Sequence, residues 1–126
     1  MRAVTPFLMF QGEAAPALTL YLTLPGARLL HRQDTPERRV QLAELDLSGQ
    51  RVRVTDSPIP HAFTFTPSMS LFLDCDTREE FDRVCDTLGA GGAYLMPPDD
   101  YGFSLRFAWL NDPHGVSWQV NLPHAP

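Results

Sequence analysis

The sequence is short of positive charge, of cysteine and of long apolar runs, and each shortage removes a class of function. Lys and Arg total 10 against 15 Asp and Glu, giving a net charge of −5 at pH 7 and a pI near 5.2. Nucleic-acid binders carry a basic patch or stripe, so no nucleic-acid partner is expected. The nearest basic group, Arg32, Arg38 and Arg39, reads as a solvated loop edge. Two cysteines cannot build a disulfide scaffold, and no second pair suggests zinc. Cys85 falls on an apolar helical stripe as a reduced core thiol. Cys75 lies between Asp74 and Asp76, whose charges disfavour a thiolate nucleophile. No apolar run approaches the length of a membrane span, so no membrane partner is expected. The N-terminal Met1-Arg2-Ala3-Val4-Thr5-Pro6 lacks a full signal-peptide plan, so a cytoplasmic location is expected. No Ser-His-Asp or Cys-His arrangement emerges from the spacing.

What is present is a core. The 126 residues are 44% apolar, enough for one ordinary domain or two small joined modules. Near the C-terminus, Asn111-Asp112-Pro113-His114-Gly115 is a turn signal. The aromatic and β-branched runs Tyr101–Leu110 and Val116–Leu122 flank it, so a β-hairpin is predicted. Its second strand alternates, with Val116, Trp118, Val120 and Leu122 on one face and Ser117, Gln119 and Asn121 on the other. The first face wants a core, and the second offers hydroxyl and amide groups to something polar.

Read from the start, the chain predicts a strand over about 4–10, with Pro6 at its beginning. A helix over 12–22 comes next, where Ala14, Ala17, Leu18, Tyr21 and Leu22 form a stripe. Strands are predicted at 27–32, 40–47 and 50–55, and a polar loop at 33–38. The segment 59–67 is a Pro-restricted connector punctuated by His61, Phe63 and Phe65. A strand over 68–74 then leads to Thr77-Arg78-Glu79-Glu80, a capping box that opens a helix with the stripe Phe81, Val84, Cys85 and Leu88. A strand over 91–96, a loop at 97–100 and the hairpin complete the chain. The order is βαβββ, connector, βαβββ, an internal duplication: a first module over 1–58, the connector 59–67, a second module over 68–122 and a tail at 123–126.

That duplication resembles the glyoxalase/bleomycin-resistance/dioxygenase (vicinal oxygen chelate) superfamily, and within it the PhnB-like branch often labelled 3-demethylubiquinone-9 3-methyltransferase. The resemblance rests on Thr5-Pro6-Phe7-Leu8-Met9-Phe10, Asp56-Ser57-Pro58, and His61-Ala62-Phe63-Thr64-Phe65-Thr66-Pro67. It extends to Met96-Pro97 with Tyr101-Gly102-Phe103-Ser104, and to the run from Asp112 to Asn121. It implies an α+β fold of two βαβββ modules forming a cup-shaped curled sheet with helices outside, and a homodimer. It implies no particular substrate. The methyltransferase label fits poorly. A common S-adenosylmethionine site needs a Gly-rich turn that opens a helix, whereas Gly89-Ala90-Gly91-Gly92 comes after one.

In metal-dependent members of the superfamily, the first and last strands of the modules supply His, Glu or Gln ligands. The positions matched by motif are Thr5, Ser68, Gln119 and either Arg53 or Thr55. None is an imidazole or a carboxylate, so a metal-free cup without a cofactor is expected. Alternation puts Thr5, Phe7, Met9, Ser68, Ser70, Phe72, Phe107 and Trp109 toward the cup, and Met69, Leu71, Leu73, Ala108 and Leu110 toward the helix side. Such a lining suits a small, partly apolar or aromatic ligand, or else the aromatic side chains simply fill the cup. Glu44 and Arg53 on adjacent strands are expected to pair. The alternative is a lyase or isomerase that uses Glu44 or His61 for proton transfer. A third reading is a dimeric scaffold.

Overall fold

A computed structural model describes residues 1–125, and the chain divides into two compact units, Met1–Phe63 and Thr64–Pro126. The first contains β1 (Phe7–Phe10), α1 (Ala14–Tyr21), β2 (Ala27–Asp34), β3 (Val40–Leu47) and β4 (Gln50–Asp56). The second contains β5 (Leu71–Asp74), α2 (Arg78–Gly89), β6 (Ala93–Asp99), β7 (Arg106–Asn111) and β8 (Ser117–Leu122). Both are four-stranded mixed sheets of matching topology, β1-β4-β3-β2 and β5-β8-β7-β6. The first strand of each unit pairs parallel to the last, and the other pairs are antiparallel. The duplication read from the sequence is therefore present element for element.

Period-two alternation gives each sheet one apolar face, and one helix per unit covers it. In the first unit Leu8, Phe10, Ala43, Leu45, Val52 and Val54 are buried with Ala14, Ala17, Leu18 and Tyr21 of α1. In the second, Ala108, Leu110, Trp118 and Val120 are buried with Phe81, Val84, Cys85 and Leu88 of α2. The two helices start differently. Thr77 caps α2, its Oγ1 accepting from the Glu80 N–H at 3.1 Å, while the Glu80 carboxylate accepts from the Asp76 N–H at 3.3 Å. The N-cap of α1, Glu13, makes no side-chain cap bond. Asp56, from the end of β4, substitutes for it. Its Oδ1 accepts from the Gly12 and Ala14 N–H groups at 2.9 and 3.0 Å, and its Oδ2 from the Val40 N–H at 3.1 Å. One buried carboxylate thus joins a helix start to two strands.

Four stretches differ from the sequence reading. β2 runs to Asp34, through part of the expected loop, as an exposed edge strand with two register shifts. β6 runs through Pro97 and Pro98 to Asp99 instead of ending at Met96. It is an edge strand, where a missing N–H costs no ladder bond, and its register shifts between Met96 and Asp99. β7 begins at Arg106, and β5 at Leu71. Residues 101–105 and 68–70 lie outside the sheet, so Met69, expected toward the helix, is 65% exposed.

Replacing Asp56 with Ala would leave up to three backbone donors without their acceptor, at roughly 1–3 kcal/mol for each one buried. Asp56→Ala is expected to lower the unfolding free energy by about 3 kcal/mol or more. Asp56→Asn, which keeps one carbonyl acceptor, should cost less. Urea titration followed by circular dichroism measures both.

Candidate functional site

The face of the second sheet that α2 does not cover presents Ser70 just before β5, Phe72 and Asp74 of β5, Ser117, Gln119 and Asn121 of β8, and Phe107, Trp109 and Asn111 of β7. The register sets Gln119 opposite both Phe72 and Trp109. At one end the Trp109 indole Nε1–H donates to Ser117 Oγ at 2.9 Å. Ser117 Oγ lies 2.7 Å from Ser70 Oγ, and Gln119 Nε2 donates to Ser70 Oγ at 3.4 Å. At the other end Phe107 is only 5% exposed, covered on this face by a run of rings. Phe103 meets it edge-on at 4.9 Å, Tyr101 edge-on at 6.2 Å, and Phe72 tilted at 6.2 Å. Phe72 and Phe103 themselves stay more than half exposed. A polar cluster and an aromatic shelf thus adjoin on one sheet face, with Phe72 beside both.

The uncovered face of the first sheet is ionic instead. Glu44 stands directly opposite Arg53, with Nε–Oε2 at 4.0 Å, and its Oε1 is 3.5 Å from Arg51 Nη1 without a hydrogen bond. Arg28 and Asp46 pair at 2.8 Å on the adjoining strands. Phe7, on β1, lies opposite Arg53. The expected Glu44–Arg53 pairing is therefore present, with Arg51 added.

His61 stands apart from Glu44. Its Nε2 is 2.8 Å from Ser57 Oγ, its ring stacks on Phe63 at 4.6 Å, and its N–H donates to Gln11 Oε1 at 2.8 Å. Gln11 Nε2 in turn donates to the Phe63 carbonyl at 3.1 Å. These bonds pin the first part of the connector, through Phe63, to the first unit. No hydrogen bond or ion pair joins His61 to Glu44 among the described residues.

Of the positions matched to metal ligands, Thr5 and Ser68 lie ahead of β1 and β5, and Ser68 Oγ bonds Thr66 Oγ1 at 2.7 Å. On β4 both Arg53, opposite Phe7, and Thr55, opposite Met9, lie on the uncovered face, as Gln119, opposite Phe72, does on β8. A divalent ion takes imidazole nitrogens and carboxylate or thiolate donors. Hydroxyls and an amide, with or without a guanidinium, do not fit one. Among the described residues no group of three or more His, Cys, Asp or Glu is placed to hold a metal ion.

Sequence reasoning missed Tyr101 and Phe103, because 101–110 reads as one strand, in which they would only alternate with core residues. It also passed over Asn111, whose Oδ1 is buried without a hydrogen bond opposite Ser117. Gly89-Ala90-Gly91-Gly92 closes α2. Gly91 holds φ at +74°, and a Cβ on Gly92 would collide with the Asn111 carbonyl. It opens no helix, the placement that a phosphate- or nucleoside-binding Gly-rich turn requires.

Comparison with known proteins places this geometry. The model of the 3-demethylubiquinone-9 3-methyltransferase family matches residues 2–121. The chain belongs to that PhnB-like family. It is 41% identical to a PhnB protein of Bacillus cereus, described as a putative 3-demethylubiquinone-9 3-methyltransferase; the match covers 96% of this chain and 99% of that one with a TM-score of 0.91. A glyoxalase/bleomycin resistance protein/dioxygenase family enzyme of Burkholderia phytofirmans shares the fold, at 17% identity and a TM-score of 0.71 over 97% and 100% of the two chains. The Escherichia coli protein YjdN is 24% identical, with 94% of each chain covered. No helix among the described residues of this PhnB-like chain is long and apolar enough to cross a membrane.

Both cysteines are buried and free. Burial, then Glu80 and other nearby acids, pushes the Cys75 thiol up to about 12. Burial with Asp82 and Asp86 pushes Cys85 up to about 12. Neither is a thiolate near neutral pH. Ellman's reagent at pH 8 should therefore label neither until denaturant unfolds the chain. The folded thiols hold their protons to higher pH than the unfolded ones, whose ordinary value is 9.0. Stability should be unaffected below that value and fall as the pH climbs past it toward 12. Urea midpoints at pH 8 and pH 10.5 would show the loss, and Cys75→Ala with Cys85→Ala should reduce it.

Proposed function

We propose that the protein binds a small, flat, partly apolar molecule on the uncovered face of its second module, in the cytoplasm, with no metal or other cofactor. The observation that carries this reading is the half-exposed aromatic shelf of Phe72, Phe103 and Tyr101 beside the Ser70–Ser117–Trp109–Gln119 cluster. Binding sites commonly combine apolar lining with a few placed polar groups. Rings offer a flat ligand stacking and edge contacts worth about 0.5–1.5 kcal/mol per pair beyond area burial. Ser68, just ahead of β5 on the same module, is a secondary candidate, while Thr5 and Phe7 belong to the first module and are not part of this face. Ser70, Gln119 and Phe72 are the principal contacts, Trp109 stands behind them bonded to Ser117, and Phe107 acts as the floor beneath the rings.

Against this stands a lyase or isomerase reading. A general base must be open to take a proton from its substrate. Glu44 already faces two guanidinium groups, and His61 Nε2 already meets Ser57. Those engagements favour binding over proton transfer. The scaffold reading would leave the exposed Phe72 and Phe103 rings unexplained.

Naphthalene serves as a probe, read by the fluorescence of Trp109 against a Trp109→Phe control. Phe72→Ala is expected to weaken naphthalene binding about fivefold, the loss of one ring contact. Its denaturation midpoint should change little, since Phe72 is 57% exposed. An unchanged dissociation constant would remove the shelf from the site.

The same proposal takes the protein as a homodimer. Phe63, exposed and stacked on His61, is the apolar residue of the connector best placed to anchor a second copy. Light scattering at micromolar concentration should give twice the 14.1 kDa chain mass, and Phe63→Ser should shift it toward monomer.

A further inference from the structure

The polar cluster on the second module has a fixed direction of donation, and that direction names the ligand's chemistry. An indole N–H only donates, so Ser117 Oγ must accept from Trp109. Ser117 is 2% exposed, and among the described residues the other partner of its hydroxyl is Ser70 Oγ, at 2.7 Å. Were Ser70 to donate to Ser117, the Ser117 proton would be buried without an acceptor, at a cost above that of any single bond gained. Ser117 therefore donates to Ser70. Gln119 Nε2 also donates to Ser70. Ser70 Oγ thus accepts twice, and its own proton turns toward the open face. Beside it the Gln119 carbonyl oxygen is an acceptor. Turning the Gln119 amide over exchanges which of the two donates and keeps the pair. A second acceptor, Asn111 Oδ1, lies on the same face opposite Ser117, buried and without a hydrogen bond.

Charge narrows the ligand further. The four strands of this sheet carry one cation, Arg106, and it sits over the Phe81 ring of α2, on the covered side, with Nη2 donating to the Pro98 carbonyl. The acids are Asp74, which accepts from Asn121 Nδ2 at 2.9 Å, and Asp99. Among the described residues of these strands, none places a cation on this face to compensate an anionic ligand. We propose that the ligand is a neutral planar molecule with a hydrogen-bond donor and acceptor side by side on one edge, as in a lactam or a carboxamide. Ser70 and Gln119 read that edge while Phe72 takes the ring. Trp109 is a positioning residue here, acting through Ser117 to aim the Ser70 proton outward. This rests on the binding reading above and adds the identity of the edge.

Three bicyclic probes of matched shape separate the two ideas: quinolin-2-one, which carries the lactam edge, naphthalene, which carries none, and 2-naphthoate, which is anionic. Quinolin-2-one is expected to bind about tenfold tighter than naphthalene, the worth of one or two net hydrogen bonds, and 2-naphthoate no tighter than naphthalene. In Ser70→Ala the ratio of quinolin-2-one to naphthalene affinity should collapse toward one. In Trp109→Phe it should fall part of the way. In a nitrogen–proton correlation spectrum, the Trp109 indole N–H should move on adding quinolin-2-one. The Trp118 indole N–H, bonded to Asp112 at 2.9 Å, should stay. If all three probes bind alike, or 2-naphthoate binds tightest, the donor–acceptor edge is wrong and the binding face stands. If none binds, both are overturned.

Discussion

One helix can cover one face of a four-stranded sheet, and each module of this chain has one helix. That constraint decides which side chains are buried and which stay on a bare face. Alternation along each strand sends half the side chains toward α1 or α2, where Val52, Val54, Trp118, Val120 and their neighbours are buried. The other half have no helix above them. In the second module the bare face shelters Phe107 under Tyr101 and Phe103, and sequesters Ser117 between Trp109 and Ser70. These side chains make a local cover, yet Phe72 and Phe103 remain open. The exposed rings result from the arithmetic of helices and sheets, and they are also what a ligand would meet.

Each module has in addition one buried carboxylate that fixes its turns. Asp56 collects N–H groups from the start of α1 and from β3. Asp112 sits in the β7–β8 hairpin. Its Oδ1 accepts from His114 and Val116 and its Oδ2 from the Trp118 indole. A carboxylate removed from water is tolerable when several donors converge on it. Because Asp112 holds the hairpin at Trp118, the parity of β8 is set at its first residues. Ser117, Gln119 and Asn121 can then fall only on the uncovered face. The site is positioned by a residue on its far side.

The sequence showed the parity of β8, the capping box of α2, the duplicated order of elements and the Glu44–Arg53 pairing. All of these are local or fixed by a period of two. Less legible were features that depend on what lies across the sheet. Pro97 and Pro98 read as a loop because proline breaks interior strands, but β6 is an edge and tolerates them. Tyr101 and Phe103 look like strand residues one by one, and only the position of Phe107 in the third dimension turns them into its cover. Glu13 is a poor cap by itself. That Asp56, more than forty residues later, caps α1 in its place is invisible to any local rule.

Duplication gives two copies of every position, and here the copies have diverged in charge. Arg53 and Gln119 both lie on the uncovered face of the last strand of their modules, each opposite a phenylalanine of the first strand, Phe7 and Phe72. Around Arg53 the neighbours are Glu44 and Arg51, so two guanidinium groups share one carboxylate within the face. Around Gln119 the neighbours are hydroxyls and an indole, which transmit a hydrogen-bond direction but no charge. An ionic face holds its own groups to one another and has little left to offer a neutral molecule. A face of directed neutral donors has unfilled bonding capacity at its rim. The two copies of one topology therefore differ in what they expose, and the neutral half is the one whose polar groups still point outward.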